Sequence, residues 1–148
     1  MYTITSNFAE IITKLSQKVV ELGNPAFIPR AAALAVLPKM RYRVFVEGKT
    51  AAGQQIGTYS NSYLAYRAAR GRGTDPKVIL SLTRLMENDL SVVAEGNATT
   101  IGFKNPENAE KLVHLEEKYQ QHILTALSDE EVQLVIDVAN DEINKLLK

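Results

Sequence analysis

The chain has no cysteine. That excludes disulfides, thiolate metal sites and a cysteine nucleophile, and it fits a reducing compartment. Histidine is nearly as scarce, with only His114 and His122. They form no H-x-x-x-H pair and have no third ligand at metal spacing, so each reads as a surface or half-buried side chain. Long apolar runs are missing too. The longest, Ala31 to Leu37, falls far short of the roughly 20 residues that span a bilayer, so no membrane partner is expected. The opening Met1 to Asn7 lacks the basic and apolar regions of a signal peptide, and none is expected. Glu116 and Glu117 are adjacent and splay apart on a helix. Gly71-Arg72-Gly73 lacks the Lys-Ser/Thr of a phosphate-binding loop and a preceding strand. There is no G-x-S-x-G elbow. Nothing converges on a reaction centre. The expectation is a protein that is not an enzyme, with no catalytic, cofactor-binding or metal-ligating residues and no cofactor.

What is present suits one α+β domain over residues 1–148. The length of 148 residues matches a single domain and allows a core without staples. Charge is balanced at 17 basic against 17 acidic groups, but it is unevenly placed. Residues 30–84 carry ten basic and two acidic groups, net +8, whereas residues 85–148 carry five basic and thirteen acidic, net −8. Such a division points to an interaction surface. The basic segment of one copy could meet the acidic segment of the next, head to tail, as in a ring. Nucleic-acid phosphates are another possible partner. The plain alternative is that the two segments neutralise each other within one chain.

Phe8, Ile11, Ile12, Leu15, Val19 and Leu22 recur at helical spacing, with Ser6 as N-cap and Gly23-Asn24-Pro25 as the stop. The Ala-rich stretch from Ala31 predicts a second helix, kinked at Pro38 and ending near Gly48. Tyr42, Val44 and Val46 also alternate as a strand would, which leaves 40–46 open between the two. Leu90–Ala94 and Thr99–Phe103 predict a small antiparallel sheet, a hairpin near 90–103 turning at Glu95-Gly96-Asn97. Val78–Leu82 reads as a strand or a short turn of helix. Asn105 as N-cap and Pro106 at N1 open a helix to about Tyr119. Ser128 and Glu131 form a capping box for the last helix, whose apolar stripe is Val132, Val135, Ile136, Ala139, Ile143, Leu146 and Leu147.

Residues 48–77 stand apart, as an extended loop or arm inserted in the domain. The stretch holds five glycines, Gly48, Gly53, Gly57, Gly71 and Gly73, together with Pro76, and no sustained apolar period. Long loops of this kind are usually functional or disordered. It also holds Tyr59, Tyr63, Tyr66, Arg67, Arg70 and Arg72, residue types enriched at interface hot spots. These six are the candidate protein-interface residues. The alternative is a nucleic-acid-binding accessory protein that uses the same segment, 59–72, to stack bases and contact phosphates, although no helix-turn-helix, zinc finger or ribonucleoprotein motif accompanies it.

Three further stretches carry a resemblance. Thr83-Arg84-Leu85-Met86-Glu87-Asn88-Asp89-Leu90 leads into Ser91-Val92-Val93. Thr100-Ile101-Gly102-Phe103 closes the hairpin, and Asn108-Ala109-Glu110-Lys111 precedes an acidic helix that begins at Leu127-Ser128-Asp129-Glu130-Glu131. Over roughly residues 26–148 this layout resembles the tail-completion (neck) morphogenesis proteins of long-tailed bacteriophages. Ile56-Gly57-Thr58-Tyr59-Ser60 is similar to a stretch of such proteins in phages of the Bacteroides group. The sequence departs from the family pattern at Arg84, where a glycine is usual, and at Asp89, where serine is. The resemblance implies a structural virion protein at the head–tail junction, assembled in the host cytoplasm. Several copies would form a ring that binds connector, adaptor and tail proteins. It carries no catalytic residue to transfer.

Overall fold

The computed structural model describes residues 2–3, 10–13, 27–81, 83–96 and 98–146. Its elements are β1 (Tyr2–Thr3), α1 (Phe27–Phe45), α2 (Asn61–Ala68), α3 (Leu85–Asp89), β2 (Leu90–Glu95), β3 (Ala98–Phe103), α4 (Pro106–Tyr119) and α5 (Asp129–Leu146). The fold is α+β. Of the N-terminal helix expected over 7–22, residues 10–13 are helical and Ile12 is buried. Its proposed cap and stop, Ser6 and Gly23 to Pro25, lie outside the described residues.

The strand alternative for 40–46 is excluded, because α1 runs through Pro38 to Phe45. Proline removes one backbone donor and crowds the preceding turn. Burial on both sides of it holds the helix together: Ala32, Ala33, Val36 and Leu37 precede Pro38, and Met40, Val44 and Phe45 follow it. After the helix Gly48 turns left-handed, at φ 66°. A Cβ there would lie 2.2 Å from the Val78 carbonyl oxygen, so glycine is required both by φ and by the close approach of backbone.

The sheet has three strands in the order β1-β3-β2. The β2–β3 hairpin pairs Leu90 with Phe103 and Val92 with Ile101, and β1 adds Tyr2 opposite Phe103. Leu90, Ile101 and Phe103 face the core. Helix α1 lies between this sheet and α5, its principal packing partner.

One polar link sits inside that packing. Arg43 Nε and Nη2 donate to the two Glu131 carboxylate oxygens at 2.6 and 3.1 Å. Nη1 donates to the Ile123 and Lys49 carbonyls, and Nη2 also reaches the Ala126 carbonyl. The five N–H groups of a guanidinium are thereby all used. Glu131 in turn accepts from Ser128 N at 2.9 Å while its own N–H donates to Ser128 Oγ. The expected capping box is thus present, and its glutamate serves a second purpose.

Two other carboxylates organise loops. Glu116 Oε1 accepts from the amides of Ile123, Leu124 and Thr125, and Oε2 from Thr125 Oγ1. This fixes the chain that leaves α4 through left-handed Gln120. Asp89 Oδ2 accepts from Asn105 N and Asn108 Nδ2, both at 2.9 Å. Asp89 therefore ties the foot of β2 to the start of α4. Arg84 has a left-handed backbone, at φ 61°, ψ 9°.

The segment 48–77 is more anchored than a free arm. Thr50 and Ile56 are buried, Ala51 N donates to the His122 carbonyl, Tyr59 N to the Pro76 carbonyl and Val78 N to the Gly57 carbonyl. Its feet are therefore joined to each other, and residues 60–75 form a closed excursion that contains α2. Val78–Leu82 is neither strand nor helix over its described residues, 78–81.

Two outcomes test this description. Glu131→Ala strands the buried Arg43 guanidinium and removes the cap of α5; a loss of about 3–5 kcal/mol is expected in urea unfolding. For Asp89, burial alone would raise the carboxyl, but the hydrogen bonds from Asn108 and Asn105 outweigh it and hold the group below its usual range. Its contribution is present above about pH 3.9, the unfolded value, and is lost as pH falls through the lower folded value. Asp89→Ala should lose about 1–2 kcal/mol at pH 7 and show a shallower acid decline in stability between pH 5 and 2.

Candidate functional site

Helix α2 owes its position to the closed excursion and its start to Ser60, whose Oγ accepts from Tyr63 N. The helix and the residues that flank it gather five of the six expected interface residues. Tyr59 and Tyr63 have ring centroids 5.0 Å apart, and Tyr63 stacks on Tyr66 at 5.8 Å. Arg70 lies over the Tyr66 ring at 3.4 Å, and Arg67 over the Tyr59 ring at 4.7 Å. The result is a ladder of three tyrosines with a guanidinium at each end. Such contacts stabilise by about 0.5–1.5 kcal/mol for each aromatic pair and a similar amount for each cation–π contact, so the face is held in shape before any partner arrives.

The six differ in what they present. Tyr66, Arg70 and Arg72 are exposed, Tyr59 and Tyr63 are half-buried, and Arg67 is buried at 2% exposure. Arg67 therefore does not offer its charge on the outer surface, contrary to expectation. Spacing places Arg67 one turn from Tyr63, but only the tertiary fold tucks it under Tyr59. Arg72 lies beyond the helix and joins no ring contact. The outer surface is thus carried by Tyr66 and Arg70.

Behind α2 lies a groove of about 640 Å³ between α2, α3 and α4. Its walls include Tyr59, Tyr63, Leu80, Leu85, Leu115 and Tyr119, and Arg67 lines it as well. Arg84, Lys111, His114 and Lys118 complete it, and no aspartate or glutamate is among its lining residues. Sequence reasoning missed these four, though a signal existed. Along α4, Lys111, His114 and Lys118 recur at helical spacing on one side. Leu80 and Arg84 both have left-handed backbones, at φ 49° and 61°, a conformation costing about 1–2 kcal/mol for a residue with a Cβ.

A second surface runs along α1. Phe27, Leu34 and Tyr42 are each more than half exposed on its outward side, and Val46 follows just beyond it. The charge division is partly neutralised within the chain, as Lys39 pairs with Glu130 and Arg43 with Glu131. Among the described residues no group of three or more histidine or acidic side chains could hold a metal ion, and no helix is long and apolar enough to cross a membrane. His114 sits 3.8 Å from Glu117, and His122 Nδ1 shares a hydrogen bond with Thr125 Oγ1. No protein-family model matches the chain, and neither a curated protein nor a solved structure matches it.

Tyr59 links the ladder to the groove. Burial raises its hydroxyl above the usual tyrosine range, only partly offset by the Ile79 amide that donates to it and by Arg67. With the folded value raised, the stability it contributes is intact below about pH 10 and is lost as pH rises through the folded value. Tyr59→Phe should lose about 1 kcal/mol at pH 7 by orphaning the Ile79 amide. It should also decline less between pH 9 and 11 than the unchanged protein, measured by denaturant unfolding at each pH.

Proposed function

We propose that this protein is a non-catalytic structural component of a tailed-bacteriophage virion, placed at the head–tail junction and present there as several copies in a ring. The observation that carries the protein-binding part is the preorganised tyrosine and arginine face of α2. Rigid aromatic and guanidinium groups lose little entropy on docking and dominate protein interfaces. A ring needs two different patches on each copy, and the apolar stripe of α1 supplies a second one. The placement in a phage neck rests on the resemblance of residues 26–148 to tail-completion proteins. Its partners would be connector, adaptor and tail proteins together with its own copies.

The alternative is a nucleic-acid-binding accessory protein. The exposed Tyr66, Arg70 and Arg72 favour it. Against it, the Tyr66 ring is already engaged by Tyr63 and by Arg70, contacts with which a stacking base would compete. Tight retardation of single-stranded DNA with a steep salt slope would favour this second reading.

Under the first reading the protein is a stoichiometric component of purified tailed particles. The double substitution Tyr66→Ala, Arg70→Ala should lower its incorporation by about tenfold or more, as expected for hot-spot residues, while the protein stays folded with the modest drop in Tm that loss of one ring pair and one cation–π contact brings. Particles that lack the protein, or that take up the double variant equally well, would refute the virion assignment.

A further inference from the structure

The groove behind α2 presents an unusual electrostatic problem. Arg67 is 2% exposed, yet its Nη1 has no hydrogen-bond partner. Its Nη2 donates to the Ser81 carbonyl at 3.2 Å, and Tyr59 covers one face. No ion pair joins it to an acidic side chain among the described residues. A buried cation without a counter-ion is strongly disfavoured. The rest of the groove adds to the same field, since Lys111 and Lys118 line it and no acidic residue does, while Arg84, also in the lining, lies 4.0 Å from Glu87. Arg43 shows the contrast within the same molecule: equally buried, it has a carboxylate and three carbonyls.

We propose that this groove binds an acidic peptide segment of a partner protein, with one side-chain carboxylate neutralising Arg67 and the neighbouring acidic groups meeting Lys111 and Lys118. The inference rests on the protein-binding reading above and names the chemistry of the partner. A carboxylate suits the recess because it is small, flat and carried on an apolar stem. It can form the charge-assisted hydrogen bonds that the guanidinium leaves unmade. Leu80, Leu85, Leu115 and Tyr119 give apolar residues of the same segment a place to pack, and the volume is in the range of pre-formed ligand sites. A nucleic-acid backbone fits less well, because its phosphates lie on the outside of a bulky polymer and Arg67 lies beneath a tyrosine ring. The left-handed backbones of Leu80 and Arg84 flank the groove, as strained backbone often does at binding sites.

The test uses the whole protein and a fluorescein-labelled peptide in which glutamate alternates with leucine, followed by anisotropy at low and moderate salt. Expected is micromolar binding that weakens with salt, and at least tenfold weaker binding when glutamine replaces every glutamate. Arg67→Met should abolish the binding without lowering Tm, since it removes an uncompensated buried charge. The double substitution Lys111→Ala, Lys118→Ala, at exposed positions, should weaken the binding at least tenfold and serves if Arg67→Met does not fold. The proposal is overturned if the glutamine peptide binds equally, if single-stranded oligothymidine competes the peptide away at lower concentration, or if no binding occurs at low salt. It is also overturned if Arg67→Met lowers Tm and leaves peptide affinity unchanged, which would make Arg67 a structural group. Because virion incorporation is read separately through Tyr66 and Arg70, failure here leaves the virion assignment standing, and failure there leaves this binding measurable.

Discussion

The structure depends on the pairing of Arg43 with Glu131. One guanidinium gathers the end of α1, the chain at Lys49, the loop at Ile123 and Ala126, and the first turn of α5. An apolar pair of similar volume could fill the same space with equal or greater stability. It could not dictate direction. The guanidinium fork accepts one arrangement of carbonyls and one carboxylate, so it fixes how α5 is rotated and where the 120–128 loop passes. Glu116 joins that loop to α4, the helix that supplies Lys111, Leu115 and Lys118 to the groove.

Much of this was legible in the residues, and the reasons are local. The hairpin, the α4 start at Asn105-Pro106, its end near Tyr119 and the Ser128–Glu131 capping box are all written by residues within four positions of one another. What escaped was non-local. Nothing near Glu131 announces a partner 88 residues away, and nothing near Glu116 shows that it will collect three amides beyond a left-handed glutamine. The two-residue strand β1 is too short to carry a pattern. The helix α2 was hidden because Tyr59 to Arg72 reads as polar and glycine-flanked, and its stability comes from the stitched feet of the excursion rather than from an apolar stripe. For the same reason the meeting of Tyr59, Tyr63, Tyr66, Arg67 and Arg70 in one cluster without Arg72, and the burial of Arg67, were not foreseeable.

Two groups of cations in the chain illustrate how one composition can serve two ends. Lys39 and Arg43 find carboxylates on α5 within the chain, which uses part of the excess positive charge to assemble the fold. Arg67, Lys111 and Lys118 instead line a groove without acidic residues. Net charge, which sums to zero, conceals this difference. Only the placement of each counter-ion separates a cation that supports the architecture from one that remains available to a partner.

The joined feet of the excursion, where Gly57 and Tyr59 meet Pro76 and Val78, have an evolutionary consequence. Chain that departs from and returns to one point can be lengthened, shortened or rewritten with little effect on the core beneath. The surface that such a protein shows to its neighbours can therefore drift as those neighbours change, while the scaffold that carries it stays as it is.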